Sequence, residues 1–157
     1  MINDADARYD DFVSVATEVL DKYDIALDTL DDTTVNATPV PGTVNSAFAL
    51  ATHVHGMARF WGGAFIGGEE ISRDREAEFR AMGTVAEAHA LIAETRASLP
   101  GWARIALTEG IRNRQAQGTA RRDYTEATPG WVLEHILHEL AQHLGHLEVC
   151  RDVVATR

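Results

Sequence analysis

The chain has 157 residues, of which 45% are hydrophobic and 24% charged, as is typical of a globular protein with one core. We therefore treat residues 1–157 as a single domain. The formal net charge of −10, without a basic stripe, excludes nucleic acid and an anionic membrane as expected partners. Cys150 is the single cysteine, so there is no internal disulfide, and we find no apolar signal-peptide core or membrane span. These features predict a cytoplasmic protein.

The first predicted helix spans Asp6 to Leu30, because apolar residues recur there at helical spacing. Its stripe consists of Phe12, Val15, Ala16, Val19, Leu20, Tyr23, Leu27 and Leu30. A polar connection that contains Pro39, Pro41 and Gly42 follows it.

A second amphipathic helix is predicted to begin after a cap at Thr43 or Asn45 and to end near Phe65, where glycines weaken it. His53 falls within its apolar arc, whereas His55 points roughly 160° away from His53 and is expected to face away from the bundle. A histidine on an apolar face is most often a core residue whose ring nitrogens are satisfied by neighbours. The hypothesis that His53 binds a metal therefore needs a partner on another helix.

The stretch from residue 69 to residue 82 lacks periodicity and is predicted to be a connection with a short helical turn. A capping box at Thr84 and Glu87 then opens a third helix, which we expect to reach Leu99. Pro100 is expected to break or kink this helix, with a short continuation to Ile111. Residues 112–127 are polar and are predicted to be irregular.

The fourth predicted helix carries the clearest chemical signal, and it runs from an N-cap at Thr128 to Arg157. Its apolar stripe consists of Val132, Leu133, Ile136, Leu137, Leu140, Leu144 and Leu147. Glu139 and His143 lie on either side of the Val132 edge of this stripe, within roughly 20° of it. Two metal-ligand residue types four positions apart on one face predict part of a metal site.

The other histidines of this helix separate from that pair. His138 falls on the solvent side, and it cannot share a metal with His143 because residues five apart diverge on a helix. His135 and His146 lie just outside the Glu139/His143 pair. They are expected to be either partners that orient the ligands or ordinary surface histidines.

Four amphipathic helices without a convincing strand predict an all-α fold, a four-helix bundle with antiparallel packing. Bundle cores bind metals through side chains from facing helices. We therefore predict a divalent-metal site formed by His53, Glu139 and His143. The alternative is that both histidines are core residues and that Glu139 is a carboxylate at the rim.

Two motifs resemble the DinB-like superfamily: the helix-two sequence Leu-Ala-Thr-His53-Val-His-Gly-Met, and the helix-four sequence Glu139-x-x-x-His143-Leu-Gly-His. Over essentially its whole length the chain is most similar to a branch of unknown function and to the N-terminal domain of mycothiol-dependent maleylpyruvate isomerase. Much of the superfamily has a histidine at the position of Glu139, but the isomerase branch is similar to this chain in using a glutamate there.

The resemblance implies a DinB-like four-helix bundle, a zinc site with nickel or iron as alternatives, and a homodimer. It also implies a low-molecular-weight thiol, of the mycothiol or bacillithiol type, that reacts with a small-molecule electrophile in S-transfer or isomerisation. The isomerase has a further C-terminal domain with no counterpart in this sequence, so its particular reaction does not carry over.

Other functions remain open at this point. A site with two histidines and one glutamate leaves an open coordination position, which suits thiol activation but also metal-assisted hydrolysis. A non-catalytic bundle that binds a metal or small ligand is the third alternative. Aromatic residues near helix ends also suggest contacts across a dimer, namely Phe60, Trp61, Trp102 and Trp131.

Overall fold

The structure is a computed structural model that describes residues 4–42 and 44–156. Its helices are α1 (Asp4–Leu27), α2 (Ala47–Ala58, continued by π-helical turns over Arg59–Ile66), α3 (Arg75–Glu78), α4 (Val85–Thr108) and α5 (Pro129–Ala155). Two short 3-10 helices, Thr34–Asn36 and Tyr124–Glu126, lie in the connections. These described residues contain no strand, which confirms the all-α prediction. No helix among them combines the length and the apolar character needed to cross a membrane.

The four long helices form the bundle, and the short α3 lies beside α2. α1 packs against α4 and α5, and α2 packs against the same two helices. α1 and α4 are antiparallel, because Asp6 contacts Arg104 at one end and Asp24 contacts His89 near the other. The predicted four-helix bundle is therefore confirmed.

The direction of two helix pairs differs from the predicted antiparallel packing. Near the start of α2, Phe48 packs against Gly83, which precedes α4, and further along both helices His55 contacts Thr95. α2 and α4 are therefore parallel, and the contacts between α1 and α5 follow the same sense. Long connections permit such crossovers, so helical stripes alone do not fix the direction of each helix.

Pro100 does not break the third long helix, so the first of the two expected effects is absent: α4 continues through it to Thr108. The residues that follow, Trp102, Ala103 and Ala106, are buried in the core. Their burial offsets the loss of helix stability at an interior proline, which is about 3 kcal/mol.

The start of α2 also differs from the sequence prediction. Its N-cap is Ser46, whose side chain accepts a hydrogen bond from the Ala49 backbone N–H, rather than Asn45. Thr43, the other predicted cap, lies outside the described residues.

Three of the four aromatic side chains that suggested a dimer contact are buried within the single chain. Phe60, Trp61 and Trp102 are 0%, 2% and 7% exposed, and Trp131 is 37% exposed. The homodimer therefore remains a prediction, and it now rests on the resemblance more than on these side chains.

Candidate functional site

His53, Glu139 and His143 lie together where α2 faces α5. One potential ligand atom from each of the three lies within 4.8 Å of the others. The His53 and His143 ring centroids are 4.6 Å apart, and His143 Nε2 lies 3.3 Å from Glu139 Oε2. The structure thus brings together the three residues that the helical wheels selected, and metal binding by them remains a prediction.

The orientation of His53 is fixed by a glutamate on α3. His53 is 2% exposed, and its Nδ1 lies 2.8 Å from Glu78 Oε2. The Phe79 ring stacks on the imidazole with a centroid distance of 4.4 Å. Because Glu78 engages Nδ1, the Nε2 atom of His53 is the nitrogen left for a ligand role. Histidines that bind metals commonly have a carboxylate on the other nitrogen in this way.

Glu78 is itself held on several sides. Arg73 donates from Nε to Oε1 at 2.6 Å and from Nη2 to Oε2 at 2.9 Å, and its Nη1 donates to the Gly118 carbonyl at 2.9 Å. Burial tends to raise the pKa of Glu78, but the hydrogen bonds from His53 and Arg73 outweigh it and the pKa is lowered. A Cβ at Gly56 would overlap the Glu78 carboxylate, so the glycine gives the carboxylate room against α2.

Glu139 is strongly stabilised as a carboxylate. The hydrogen bond with His143 lowers the pKa of Glu139 to about 2, against burial, and the charges of His135, His143 and His53 act in the same direction. The Glu139 side chain is 22% exposed, so it is neither isolated in the core nor fully solvated. An anionic oxygen is therefore available beside the two imidazoles.

The donor set fits a divalent transition metal. His143 Nδ1 is buried and has no hydrogen-bond partner within the part of the chain that the structure describes. Buried polar atoms of proteins are normally paired, so an orphaned Nδ1 on the ring whose Nε2 faces Glu139 marks an incomplete set of interactions. Two imidazoles and one carboxylate are ligands that zinc, and also nickel and iron, accept in open sites.

His135 lies at this site. Its Nε2 is 3.6 Å from Glu139 Oε1, and its ring stacks on Trp131 with a centroid distance of 4.7 Å. Burial is the main cause of a lowered pKa of His135; the Arg121 charge acts in the same direction and Glu139 opposes it. Of the two alternatives for this residue, the structure therefore favours a partner of the ligand group over a surface histidine.

The remaining histidines of α5 are His138 and His146. His138 is exposed, as predicted, although a ligand atom of it also lies within 4.8 Å of His135 and Glu139. His146 is half-buried, and burial together with the His143 charge lowers the pKa of His146.

Two residues of the triad, His53 and Glu139, line a cavity of about 230 Å³. His53, Glu139 and His135 contribute to its lining, together with the apolar side chains of Met57 and Trp61. The other lining residues are Arg73, Arg75, Thr119, Ala120 and Arg121. The cavity therefore combines potential metal ligands, an apolar wall and a cationic portion.

His55 contradicts the expectation that it points away from the bundle. It is 9% exposed, its Nδ1 lies 3.2 Å from Thr95 Oγ1, and its Nε2 lies 3.6 Å from Glu94 Oε2. The wheel angle between His53 and His55 is compatible with this, because α2 packs between α5 on one side and α4 on the other. Both faces of α2 are covered, so pointing away from the triad does not mean facing solvent.

The residues that support the site carry little signal in the sequence. Arg73 and Glu78 lie in a charged stretch without apolar periodicity, and residues 119–121 lie in an irregular connection. The one local signal was the helical turn predicted in this stretch. The structure contains it as α3, which Asp74 caps by accepting a hydrogen bond from the Ala77 backbone N–H. No spacing rule places such segments against a cavity.

The fold and the site together define a class: an all-helical bundle whose core brings two histidines and a glutamate together beside a cavity. A family profile described as mycothiol-S-transferase (MST) matches residues 11–156. The chain therefore belongs to the mycothiol S-transferase family, and its resemblance to the DinB-like superfamily is confirmed. Comparison with curated proteins and with solved structures gave no match.

Proposed function

We propose that the protein is a metal-dependent S-transferase that joins mycothiol to a small electrophile at the cavity next to His53, Glu139 and His143. The observation that carries this proposal is the meeting of three potential ligands from two helices, two of which line a cavity, in a chain of the mycothiol S-transferase family. A divalent metal held there, with zinc as the first candidate, would supply the positive charge that favours the thiolate form of a thiol at neutral pH.

The residues of the chain contribute orientation and proton transfer. Glu78 fixes the His53 ring through Nδ1, and Arg73 in turn fixes Glu78. His135 lines the cavity with its Nε2 3.6 Å from Glu139, and we assign it as acceptor of the thiol proton. In the transfer, the sulfur forms a bond to carbon of the electrophile and the leaving group departs with its electron pair.

Consumption of mycothiol by the purified protein tests this function. With a simple electrophile such as iodoacetamide, we expect loss of free thiol faster than the uncatalysed reaction, abolition by a chelator, and recovery on addition of zinc. His143→Ala should remove the catalysed rate and His138→Ala should retain it, since His138 is exposed on the same helix. Metal binding without any thiol consumption would support the non-catalytic alternative instead, and glutathione in place of mycothiol measures the thiol preference.

A further inference from the structure

The cavity beside the triad is lined by several arginines, although the chain is acidic overall. There are 24 acidic and 14 basic residues in the sequence. Three of those basic residues, Arg73, Arg75 and Arg121, line this one cavity, and Glu139 is the carboxylate among the lining residues. Such a local excess of positive charge in an acidic protein indicates a ligand of negative charge.

The three arginines differ in what their guanidinium groups contact. Arg73 is neutralised by two hydrogen bonds to Glu78. Among the described residues, neither Arg75 nor Arg121 has a carboxylate oxygen within 4.0 Å. Their charges are therefore not balanced by direct ion pairs within this part of the chain.

Aromatic rings hold both of these guanidinium groups near the cavity. Arg75 lies over the Phe79 ring at 5.8 Å from its centroid, and Arg121 lies over the Trp131 ring at 4.9 Å. Trp131 in turn stacks on His135, which contacts Glu139. Stacking leaves the N–H groups at the edge of a guanidinium free to bind an anion.

The acidic side chains next to Arg75 in sequence are engaged elsewhere. Asp74 Oδ1 accepts a hydrogen bond from the Ala77 backbone N–H at 3.0 Å, and Glu76 lies 3.7 Å from Arg80. They do not satisfy the Arg75 guanidinium by direct contact.

We propose that the electrophilic substrate carries a carboxylate, which Arg75 and Arg121 bind while its reactive carbon faces the triad. This inference rests on the proposed S-transferase function and names the substrate class of the same site. A carboxylate matches the paired N–H groups of a guanidinium. The positive charge of the arginines attracts a carboxylate, whereas a neutral electrophile gains no such attraction.

A pair of electrophiles that differ in charge, and otherwise by one methyl group, tests the inference. The probes are 4-(bromomethyl)benzoate and its neutral methyl ester, each with mycothiol and zinc-loaded protein. In both reactions a sulfur–carbon bond forms, the carbon–bromine bond breaks, bromide leaves with the bonding pair, and the thiol proton passes to His135 and then to solvent. After correction for uncatalysed rates, kcat/KM for the carboxylate should exceed that for the ester by about tenfold.

Arginine variants test whether Arg75 and Arg121 cause the preference for the carboxylate probe over the ester. Arg75→Gln and Arg121→Gln should each reduce it by about threefold or more, because both side chains are exposed and partly screened by solvent. Arg122→Gln is the matched control, since Arg122 is an exposed neighbour that does not line the cavity, and it should keep the preference. Equal kcat/KM for the two probes in the unaltered protein would overturn the inference.

Binding of benzoate separates failure of this inference from failure of the proposed function. By calorimetry, benzoate should bind the zinc-free protein more tightly than benzamide does, and Arg121→Gln should abolish the difference. If no transferase activity is found but this binding persists, the carboxylate subsite stands and the S-transferase proposal fails. If benzoate binds only after zinc is added, the carboxylate is a ligand of the metal and the arginine subsite is refuted.

Discussion

At the scale of single residues, Glu78 holds the His53 ring in the orientation that the proposed metal site requires. We expect Glu78→Gln to weaken metal binding by about 10- to 100-fold, because an amide replaces the anionic partner of the His53 Nδ1–H. The helical fold should persist, since the glutamine keeps the size of the side chain. A competition titration with a fluorescent zinc chelator measures the change.

The matched control for this substitution is Glu76→Gln on the same short helix, where the side chain is exposed. It should leave zinc affinity unchanged. Equal affinity in Glu78→Gln and the unaltered protein would show that Glu78 does not position His53.

Tyr23, which is not one of the proposed metal ligands, gives a prediction about pH. Its side chain is 0% exposed, and its hydroxyl donates to the Leu140 carbonyl at 2.7 Å. Burial, followed by the charges of Glu148 and Glu139, raises the pKa of Tyr23 far above its ordinary value. A raised pKa in the folded state means that this stabilisation is complete below pH of about 10 and is lost as the pH rises beyond it.

Tyr23→Phe should therefore change the pH profile of stability. At neutral pH the variant should lose about 1 kcal/mol of unfolding free energy through the missing hydrogen bond. Above pH of about 10 its stability should fall less steeply than that of the unaltered protein, because one ionising group is gone. Urea unfolding between pH 7 and pH 11 tests this, and parallel profiles for the two proteins would contradict it.

The sequence identified some site residues and not others for a clear physical reason. His53, Glu139 and His143 lie on long amphipathic helices, where the angle between side chains follows from residue spacing. Glu78 and Arg121 lie in segments whose position depends on tertiary packing, so no period places them. His55 shows the same limit within a helix. The angle between His53 and His55 follows from their spacing, but the sequence does not show which helix covers the His55 face of α2.

At the scale of elements, Gly56 sets how closely α3 approaches α2. Replacing a helical glycine by alanine normally stabilises a helix by up to about 1 kcal/mol. At Gly56 the new methyl group would overlap the Glu78 carboxylate, which Arg73 and His53 hold in place. We therefore expect Gly56→Ala to destabilise the protein by about 1–3 kcal/mol, as overpacking does.

Gly145→Ala is the control, and it should change the stability in the opposite direction. Gly145 is exposed on α5, and a Cβ there would meet nothing within 4 Å, so the helix preference should act alone and stabilise the protein. Chemical denaturation of both metal-free variants tests the difference. A stabilised Gly56→Ala protein would mean that α3 does not pack against α2 as described.

Helix ends could be predicted well where a local cap determines them. Thr84 with Glu87 forms the predicted capping box, and Thr128 caps α5 as expected. The effect of Pro100 on the helix could not be predicted in the same way. The helix continues because Trp102 and its neighbours are buried in the core. Local rules therefore fixed the starts of these helices, and tertiary packing overrode the expected end of α4.

At the scale of the whole molecule, the number of helices follows from the sequence but their directions do not. Four separate stripes predict four long helices, and the described residues contain them. The parallel packing of α2 with α4 depends on the path of the connection between them, which has no periodic signal. Fold class was therefore predictable and topology was not.

The homodimer is a prediction at this scale that comes from the superfamily resemblance. Light scattering at micromolar concentration should give twice the 17.2 kDa mass of the chain. Since Phe60, Trp61 and Trp102 are buried within one chain, the dimer contact should be sought around exposed side chains such as Trp131. A mass equal to one chain would contradict the dimer and would leave the site of each subunit unaffected.

The central claim is that His53, Glu139 and His143 bind one divalent metal. Elemental analysis of purified, zinc-reconstituted protein tests it most directly, with circular dichroism confirming that each variant is folded. The account predicts about one equivalent per chain in the unaltered protein and in His138→Ala, and almost none in His53→Ala or His143→Ala. Full metal content in folded His53→Ala and His143→Ala, or none in the unaltered protein, would contradict the claim.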